Sequence, residues 1–356
     1  MTWLSDQVVD RLQATLRLPD LSGTRYRPIR YLARGGMGTV WLAEDTVLDR
    51  RVALKILDAA DHSGELAARL LREARILARL EHPGIVPVHD AGTLGDGRVF
   101  YCMKYVEGQR LDHALRNINS LPERLRLLAR IAEPIAFAHS KGILHRDLKP
   151  ENIMIGSFGE VLVMDWGVAK VKGSAPTACL IATPATTGEA AEEKTEVNRR
   201  LDSSSTSATS SLNLPETGHG GIFGTPGYMS PEQTRSDPVD ERTDVFSLGA
   251  ILTFMLSPIT TGQADSSSQP QPLRPVPRPL QAICAKATAP ERVSRYASVE
   301  DLSADLARYL EGLPVTAYRE GFFERAGRVS ARHRVAIVLV TAYLLMRLLL
   351  IFFSRR

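Results

Sequence analysis

The sequence contains few cysteines, has no large excess of charge of either sign and shows no repeated unit. Its three cysteines, Cys102, Cys179 and Cys284, are far apart and odd in number. This excludes a disulfide framework and a paired-cysteine zinc knuckle, and it agrees with a reducing cytosol. The formal net charge of +4 is too small to indicate nucleic-acid binding. The hydrophobic content of 44% in 356 residues is sufficient for about two domains or lobes.

The first 18 residues lack the continuous apolar run of a signal peptide, because charged residues interrupt them. Apolar residues recur there at helical spacing instead. A short amphipathic helix is therefore predicted, with Leu4, Val8, Leu12 and Leu16 on one side.

Two internal stretches lack the composition of a packed core. Residues 172 to about 218 are rich in Ser, Thr, Ala and Glu, which predicts a disordered insertion. Residues 260–279 are rich in Ser, Gln and Pro, which excludes a regular helix there.

Outside these stretches, the periodicity changes from strand-like to helical near residue 107. Residues 26–106 contain short β-type runs and one helical run, Glu65–Leu80, which together predict a five-stranded sheet with one helix. Helical patterns dominate the later part of the chain, for example at Leu121–Lys141 and Asp244–Leu256.

A glycine-rich run lies between the first two predicted strands. Its glycines allow a tight turn whose N–H groups can approach phosphate oxygens, although alone they are equally typical of a plain hairpin. Lys55 follows inside an apolar strand, where an unpaired charge is costly to bury. Glu73, on the next predicted helix, can supply the counter-charge. Together these features favour a phosphate site over solvated surface charges.

A polar loop later in the chain carries a second set of reactive side chains. Asp147, Lys149 and Asn152 lie within six residues, and Asp165 follows an apolar run. An Asp can orient a hydroxyl or accept its proton, a Lys can neutralise a phosphoryl group, and Asn and Asp oxygens can hold a metal ion. This is the inventory that phosphoryl transfer requires.

In this order the motifs resemble those of the eukaryotic-like serine/threonine protein kinases of bacteria. The resemblance extends from residue 26 to residue 310 and includes Asp165-Trp166-Gly167 and Ser230-Pro231-Glu232. Lys149 and the segment Gly224–Tyr228 resemble enzymes that act on Ser and Thr rather than Tyr. The resemblance implies an α+β, bilobal kinase fold over residues 26–312, with an N-lobe at 26–106, a C-lobe at 107–312 and an N-terminal extension at 1–25.

The resemblance also implies roles for individual residues. Asp147 and Lys149 would be catalytic, and Asn152 and Asp165 would hold Mg²⁺ or Mn²⁺. Asp244 resembles the buried Asp that braces the catalytic loop. The implied ATP-binding residues are Leu32, Ala33, Gly35, Gly36, Met37, Gly38, Val40, Lys55, Glu73, Met103, Tyr105 and Val106.

The chain departs from the family pattern at several positions. Ala33 replaces the first glycine of the loop, and Trp166 replaces the usual Phe. The activation segment, from Asp165 to Glu232, is long for the family. The proline-rich stretch at 260–279 replaces a helix, which puts the docking of substrate proteins in doubt.

An apolar run near the C-terminus, residues 335–353, contains one charge, Arg347. Its length is close to the roughly 20 residues that cross a bilayer, so it predicts a single transmembrane helix. A buried core helix and an amphipathic helix lying on the membrane are the alternatives. A basic juxtamembrane segment, 313–334, precedes it and favours a cytoplasmic kinase domain. The arginines that flank the run on its N-terminal side are Arg325, Arg328, Arg332 and Arg334, against Arg355 and Arg356 beyond it.

These features together predict an active serine/threonine kinase at the cell membrane. Its partners would be ATP, protein substrates and a second copy for trans-autophosphorylation, with no nucleic acid. A membrane-anchored pseudokinase scaffold is the alternative. Such proteins usually lack at least one of Lys55, Asp147, Asn152 and Asp165, and all four are present here. Arg146, beside the catalytic Asp, predicts activation by phosphorylation, with Thr217 as the expected site.

Overall fold

Alternating apolar side chains in the first hundred residues form a five-stranded antiparallel sheet. The computed structural model describes residues 18–35, 37–58, 64–171, 227–257, 276–321 and 334–354. The strand order is β1-β2-β3-β5-β4, which confirms the predicted five-stranded sheet. The strands are β1 Tyr26–Arg34, β2 Gly38–Asp45, β3 Arg50–Leu57, β4 Val88–Thr93 and β5 Val99–Lys104.

One helix, α1 (Glu65–Arg79), covers one face of this sheet. Its buried side chains include Leu70, Ala74 and Leu77, which recur at helical spacing, and Glu73 lies on the same side. The sequence pattern predicts a strand at Ile85–His89, whereas β4 lies further along the chain, at Val88–Thr93. Pairing in β4 begins at Val88, while Ile85 forms an isolated bridge with Val163.

The later part of the chain is mainly helical, as the periodicity predicted. Its helices pack on one another around a common core. The helix α5 begins three residues before the predicted start, because the side chain of Asp240 caps it by accepting from the N–H of Arg242. The helices are α2 Leu111–Ala114, α3 Leu121–Ser140, α4 Pro231–Thr234, α5 Glu241–Leu256, α6 Arg278–Ala287 and α7 Val299–Leu310.

Short strands frame the loops of this helical part and hold the polar segment between them. The strands β6, β8 and β9 form one sheet, and β7 pairs with β10. Their bounds are β6 Gly108–Arg110, β7 Ile143–Leu144, β8 Ile153–Gly156, β9 Val161–Val163 and β10 Lys170–Val171. The polar loop with Asp147 lies between β7 and β8, and Asp165 follows β9.

A further helix, α8, extends over Arg334–Ser354. Its described side chains, those of residues 338–347 and 350, are all exposed. Within the part of the chain that the structure describes, no helix is both long and apolar enough to cross a membrane. The structure thus contains a helix over the predicted residues 335–353. Its insertion in a membrane stays a prediction.

Several predictions concern residues outside the described ranges. They are the helix at 1–18 except for its last residue, the glycine-rich loop at Gly36, the insertion at 172–218, the segment Gly224–Pro226, most of the stretch 260–279, and the juxtamembrane residues Arg325, Arg328 and Arg332.

Candidate active site

A buried ion pair joins the sheet to α1. The ammonium of Lys55 on β3 lies 2.8 Å from both carboxylate oxygens of Glu73 and 3.4 Å from Oδ1 of Asp165. Burial lowers the pKa of Lys55, but the charges of these two carboxylates raise it by more, so its pKa is above the usual range. The lysine is therefore a permanent cation at the point where strand, helix and loop meet.

The hydroxyl of Tyr101 supports this pair. Tyr101 is paired directly with Lys55 across β3 and β5, and its hydroxyl donates to Oε1 of Glu73 at 2.9 Å. Burial, followed by the charge of Glu73, raises the pKa of Tyr101 well above its usual range, so the hydroxyl keeps its proton. The sequence analysis missed this residue. The alternation of β5 could have revealed it, because Tyr101 and Met103 share the face of the predicted ATP-binding residues.

Asp165 stands at the mouth of the site with a half-exposed side chain. Its backbone has a φ of 59°, a left-handed conformation that is uncommon outside glycine and is often kept at functional sites. Burial raises the pKa of Asp165, but the charges of Lys55 and His145 outweigh it, so the pKa lies below the usual range. The side chain is thus an anionic oxygen donor.

The loop between β7 and β8 gathers three of the predicted residues. Oδ2 of Asp147 accepts from the ammonium of Lys149 at 2.9 Å and from the amide nitrogen of Asn152 at 3.2 Å. The same amide nitrogen donates to the backbone carbonyl of Asp147 at 2.8 Å. The loop therefore fixes the Asp147 carboxylate and directs the amide oxygen of Asn152 away from it.

The donor set fits a magnesium ion held together with nucleotide phosphates. Asp165 and Asn152 supply hard oxygen atoms, which Mg²⁺ prefers. Among the described residues, no group of three or more His, Cys, Asp or Glu side chains is arranged to hold a metal alone. Mg²⁺ in sites that bind nucleotides is usually held by one or two protein oxygens together with phosphates.

Asp244, at the start of α5, is fully buried behind this loop. Its carboxylate accepts from the backbone N–H groups of His145 and Arg146 at 2.9 and 2.8 Å and lies 2.7 Å from Nε2 of His139. Gln233, which the sequence analysis did not identify, donates to the carbonyl of Arg146 at 2.6 Å. These hydrogen bonds hold the backbone of the loop in position. Neither Asp244 nor Gln233 contacts the side chain of Asp147 through them.

Trp166 fills the core beside Asp165. Its ring is fully buried and lies 4.5 Å from the ring of His145, centre to centre. The residue after it, Gly167, is closely surrounded, since a Cβ there would lie 2.9 Å from Cε of Met37 and 3.2 Å from Oε2 of Glu73. Met37, at the tip of the glycine-rich loop, therefore reaches down to the ion pair.

The remaining predicted ATP-binding residues lie on β1, β2 and β5, in the turn after β1, and in the chain that leads from β5 to the C-lobe. Gly38 can only be glycine, because a Cβ there would clash with the carbonyl of Ile56. Val40 is paired with Lys55 in the sheet. The other positions lie on β1, on its following turn, at the end of β5 and just after it, namely Leu32, Ala33, Gly35, Met103, Tyr105 and Val106.

Glu232 and Arg295 form a second buried ion pair, away from the site. Two guanidinium nitrogens of Arg295 lie 2.7 and 2.8 Å from the two carboxylate oxygens of Glu232. Thr243 donates a further bond of 2.9 Å to this carboxylate. The pair ties α4 to α5 and to the loop before α7, so its role is structural.

Comparison with known proteins agrees with this geometry. Residues 26–188 match the protein kinase domain family. The serine/threonine-protein kinase PknD of Chlamydia felis is 37% identical over 318 residues, covering 82% of this chain and 31% of that protein. PknD of Chlamydia muridarum is 37% identical over 314 residues, covering 81% and 32%. The chain thus spans about a third of the length of these curated relatives.

The fold is also that of solved kinase structures. The crystal structure of the M. tuberculosis PknI kinase domain matches with a TM-score of 0.54 and 24% identity, covering 83% of this chain and all of that one. At this identity the match supports the fold, and the assignment depends on the PknD relatives and the domain match. The chain belongs to the bacterial eukaryotic-like serine/threonine protein kinase family.

Proposed function

We propose that this protein is an active serine/threonine protein kinase that transfers the γ-phosphoryl group of ATP to protein hydroxyls. The observation that carries the proposal is the position of Lys55, which lies between Glu73 and Asp165 within hydrogen-bonding distance of both. A kinase requires this lysine and the metal-binding Asp to be in place together. A scaffold that only binds partners has no need of that arrangement.

The proposed chemistry uses the side chains as they stand. Lys55 binds the phosphates of ATP. Asn152 and Asp165 would hold Mg²⁺ or Mn²⁺, which when bound would supply positive charge against those phosphates. Asp147 orients the attacking hydroxyl and accepts its proton, while Lys149 lies 2.9 Å from that carboxylate and faces the same space. The γ-phosphorus–oxygen bond to ADP breaks as the bond to the substrate oxygen forms.

The test is phosphate transfer by the purified chain with radiolabelled ATP, Mg²⁺ and a general protein substrate. Asp147→Asn and Lys55→Met should each lower the rate by about 10²- to 10⁴-fold. The matched controls are Asp301→Asn and Lys104→Met, which change exposed residues of the same types. ATP binding without transfer by the unchanged protein would instead favour the pseudokinase scaffold.

We also propose that the protein is anchored to the cell membrane, with the kinase domain in the cytoplasm. Residues 335–353 carry one charge, and the helix α8 spans them. The exposed side chains of α8 include Val338, Leu339, Leu344 and Leu345, which suit a lipid environment better than water.

Autophosphorylation between two copies is the last part of the proposal. The insertion at 172–218 contains many hydroxyl groups and lies in the activation segment that the family phosphorylates. An encounter of two molecules in one membrane would bring such a segment to a neighbouring site.

A further inference from the structure

The N-lobe sheet has a second hydrophobic core on the face opposite α1. Trp41, Leu54 and Cys102 are direct neighbours across β2, β3 and β5, and their side chains point away from α1. Leu54 and Cys102 are fully buried, and Trp41 is 4% exposed. The members of this core are strand residues together with Leu21 and Leu94, and no described helix contributes to it.

The chain just before β1 covers one part of this face. Leu21 packs into the second core. The ring of Tyr26 meets that of Phe100 edge-on at 5.9 Å, and its hydroxyl donates to Asp90 at 2.9 Å. Residues 18–26 therefore cross the sheet from β1 toward β4 and β5.

Another part of the face lies closer to the glycine-rich loop. Ile56, between Thr39 and Phe100 in the register, belongs to it and is fully buried. Trp41 belongs to it as well, and its described ring contact is an edge-on one with Tyr31 at 5.6 Å. A large indole that is almost fully buried on an outer sheet face needs a further layer over it.

The sequence before Leu18 has the properties of such a layer. Leu4, Val8, Leu12 and Leu16 recur every four residues, which gives one apolar side in a helix. A helix of 17 residues is about 25 Å long, whereas five strands spaced by about 4.8 Å span roughly 19 Å. The segment is therefore long enough to cross the whole sheet.

We propose that residues 1–17 form an amphipathic helix that packs its apolar side on the outer face of the N-lobe sheet, over Trp41 and Ile56. This surface thus serves as a docking site for the N-terminal segment of the same chain. Trp41 is three residues beyond Gly38 on β2, so the docked helix supports the strand that carries the glycine-rich loop. The proposal does not depend on kinase activity.

Hydroxyl-radical footprinting of the full chain, with mass spectrometry of the tryptophans, tests the proposal. Oxidation of Trp41 reports the exposure of the outer face, and oxidation of fully buried Trp166 serves as the internal reference. The variant Leu12→Asp places a charge on the apolar side of the segment. Its control, Ala14→Asp, places the same charge on the opposite side of the predicted helix.

We expect the ratio of Trp41 to Trp166 oxidation to rise severalfold in Leu12→Asp and in a chain lacking residues 1–17. The ratio should stay at the wild-type value in Ala14→Asp and in the conservative Leu12→Met. A ratio that is unchanged in both Leu12→Asp and the truncated chain overturns the proposal. An equal rise in Leu12→Asp and Ala14→Asp overturns it too, because the effect would then not depend on the apolar side.

Discussion

The backbone N–H of Arg146 donates a 2.8 Å hydrogen bond to Oδ1 of Asp244, and Arg146 has a φ of 70°. A positive φ is unfavourable for a side chain of this size. The buried carboxylate compensates, because it also accepts from the preceding N–H along the chain, that of His145. The shape of the loop that presents Asp147 is therefore maintained by a residue about a hundred positions later.

Asp244→Asn should weaken both the fold and the reaction. One oxygen becomes an NH₂ group that faces donors, so a buried N–H loses its acceptor at a cost of about 1–3 kcal/mol. Displacement of the loop should lower kcat about 10- to 100-fold, with less effect on KM for ATP. Denaturant unfolding and steady-state kinetics measure the two effects. Asp301→Asn is the control, and a variant with normal kcat would show that Asp244 does not position the loop.

Tyr101→Phe should lower activity while the Lys55–Glu73 pair remains. The change removes the hydroxyl that donates to Oε1 of Glu73 at 2.9 Å, a bond to a charged group that is worth about 1.5–3 kcal/mol. We expect kcat/KM for ATP to fall about 3- to 10-fold. The control is Tyr309→Phe in α7, a partly buried tyrosine of the C-lobe. Equal kinetics for Tyr101→Phe and the wild type would assign this hydroxyl to packing alone.

The pair of Glu232 and Arg295 should make stability depend on pH. Burial raises the pKa of Glu232, but bonds from Arg295 and Thr243 outweigh it and lower the pKa to about 2. Because the folded pKa lies below the unfolded value of 4.5, the carboxylate stabilises the fold at pH above 4.5. This stabilisation is lost as the pH falls from 4.5 toward 2.

Glu232→Gln tests this dependence. At neutral pH the variant should be about 3–5 kcal/mol less stable, since the charge of Arg295 stays buried without a partner. Its free energy of unfolding should then fall less steeply than that of the wild type between pH 4.5 and 2. Glu300→Gln, at an exposed site on α7, should behave like the wild type. Parallel pH curves for Glu232→Gln and the wild type would contradict the lowered pKa.

The sequence predicted those parts of the site that depend on local pattern. The strand with Lys55, the helix with Glu73 and the loop from Asp147 to Asn152 each have a spacing that can be read along the chain, and the structure brings them together. Tyr101 and Gln233 were missed because their partners, Glu73 and the carbonyl of Arg146, are distant in sequence. No local periodicity marks such a bond, since only the register of the sheet and the packing of α4 create it.

Removal of residues 335–356 should release the protein from membranes. Within the deleted segment, residues 335–353 carry one charge, Arg347. Transfer of such an apolar helix from lipid to water is strongly unfavourable. We expect the shortened chain to remain in the supernatant after centrifugation of a cell lysate, with unchanged kinase activity. The control deletes Arg355 and Arg356 alone. Sedimentation of the shortened chain with membranes at high salt would show that another segment is the anchor.

Arg146 connects the site to phosphorylation of the activation segment. Its Nε is buried and has no partner among the described residues, and its NH1 makes one long bond of 3.4 Å to the carbonyl of Val168. Burial lowers the pKa of Arg146, which the charge of Asp244 offsets in part. A phosphate group could bind such a guanidinium through two hydrogen bonds and would supply the missing acceptor.

We therefore expect kinase activity to rise when the protein is incubated with ATP. The phosphate should map between Ser203 and Thr217, and Thr217→Ala should prevent most of the rise. Thr177→Ala, elsewhere in the same insertion, is the control. If the phosphate acts through Arg146, adding Arg146→Ala to Thr217→Ala should cause little further loss, because both changes break one interaction. Strictly additive losses of activity would show that Arg146 does not interact with the phosphate. Full activity of both Thr217→Ala and a chain lacking residues 172–211, with no site mapped in the segment, would exclude this switch.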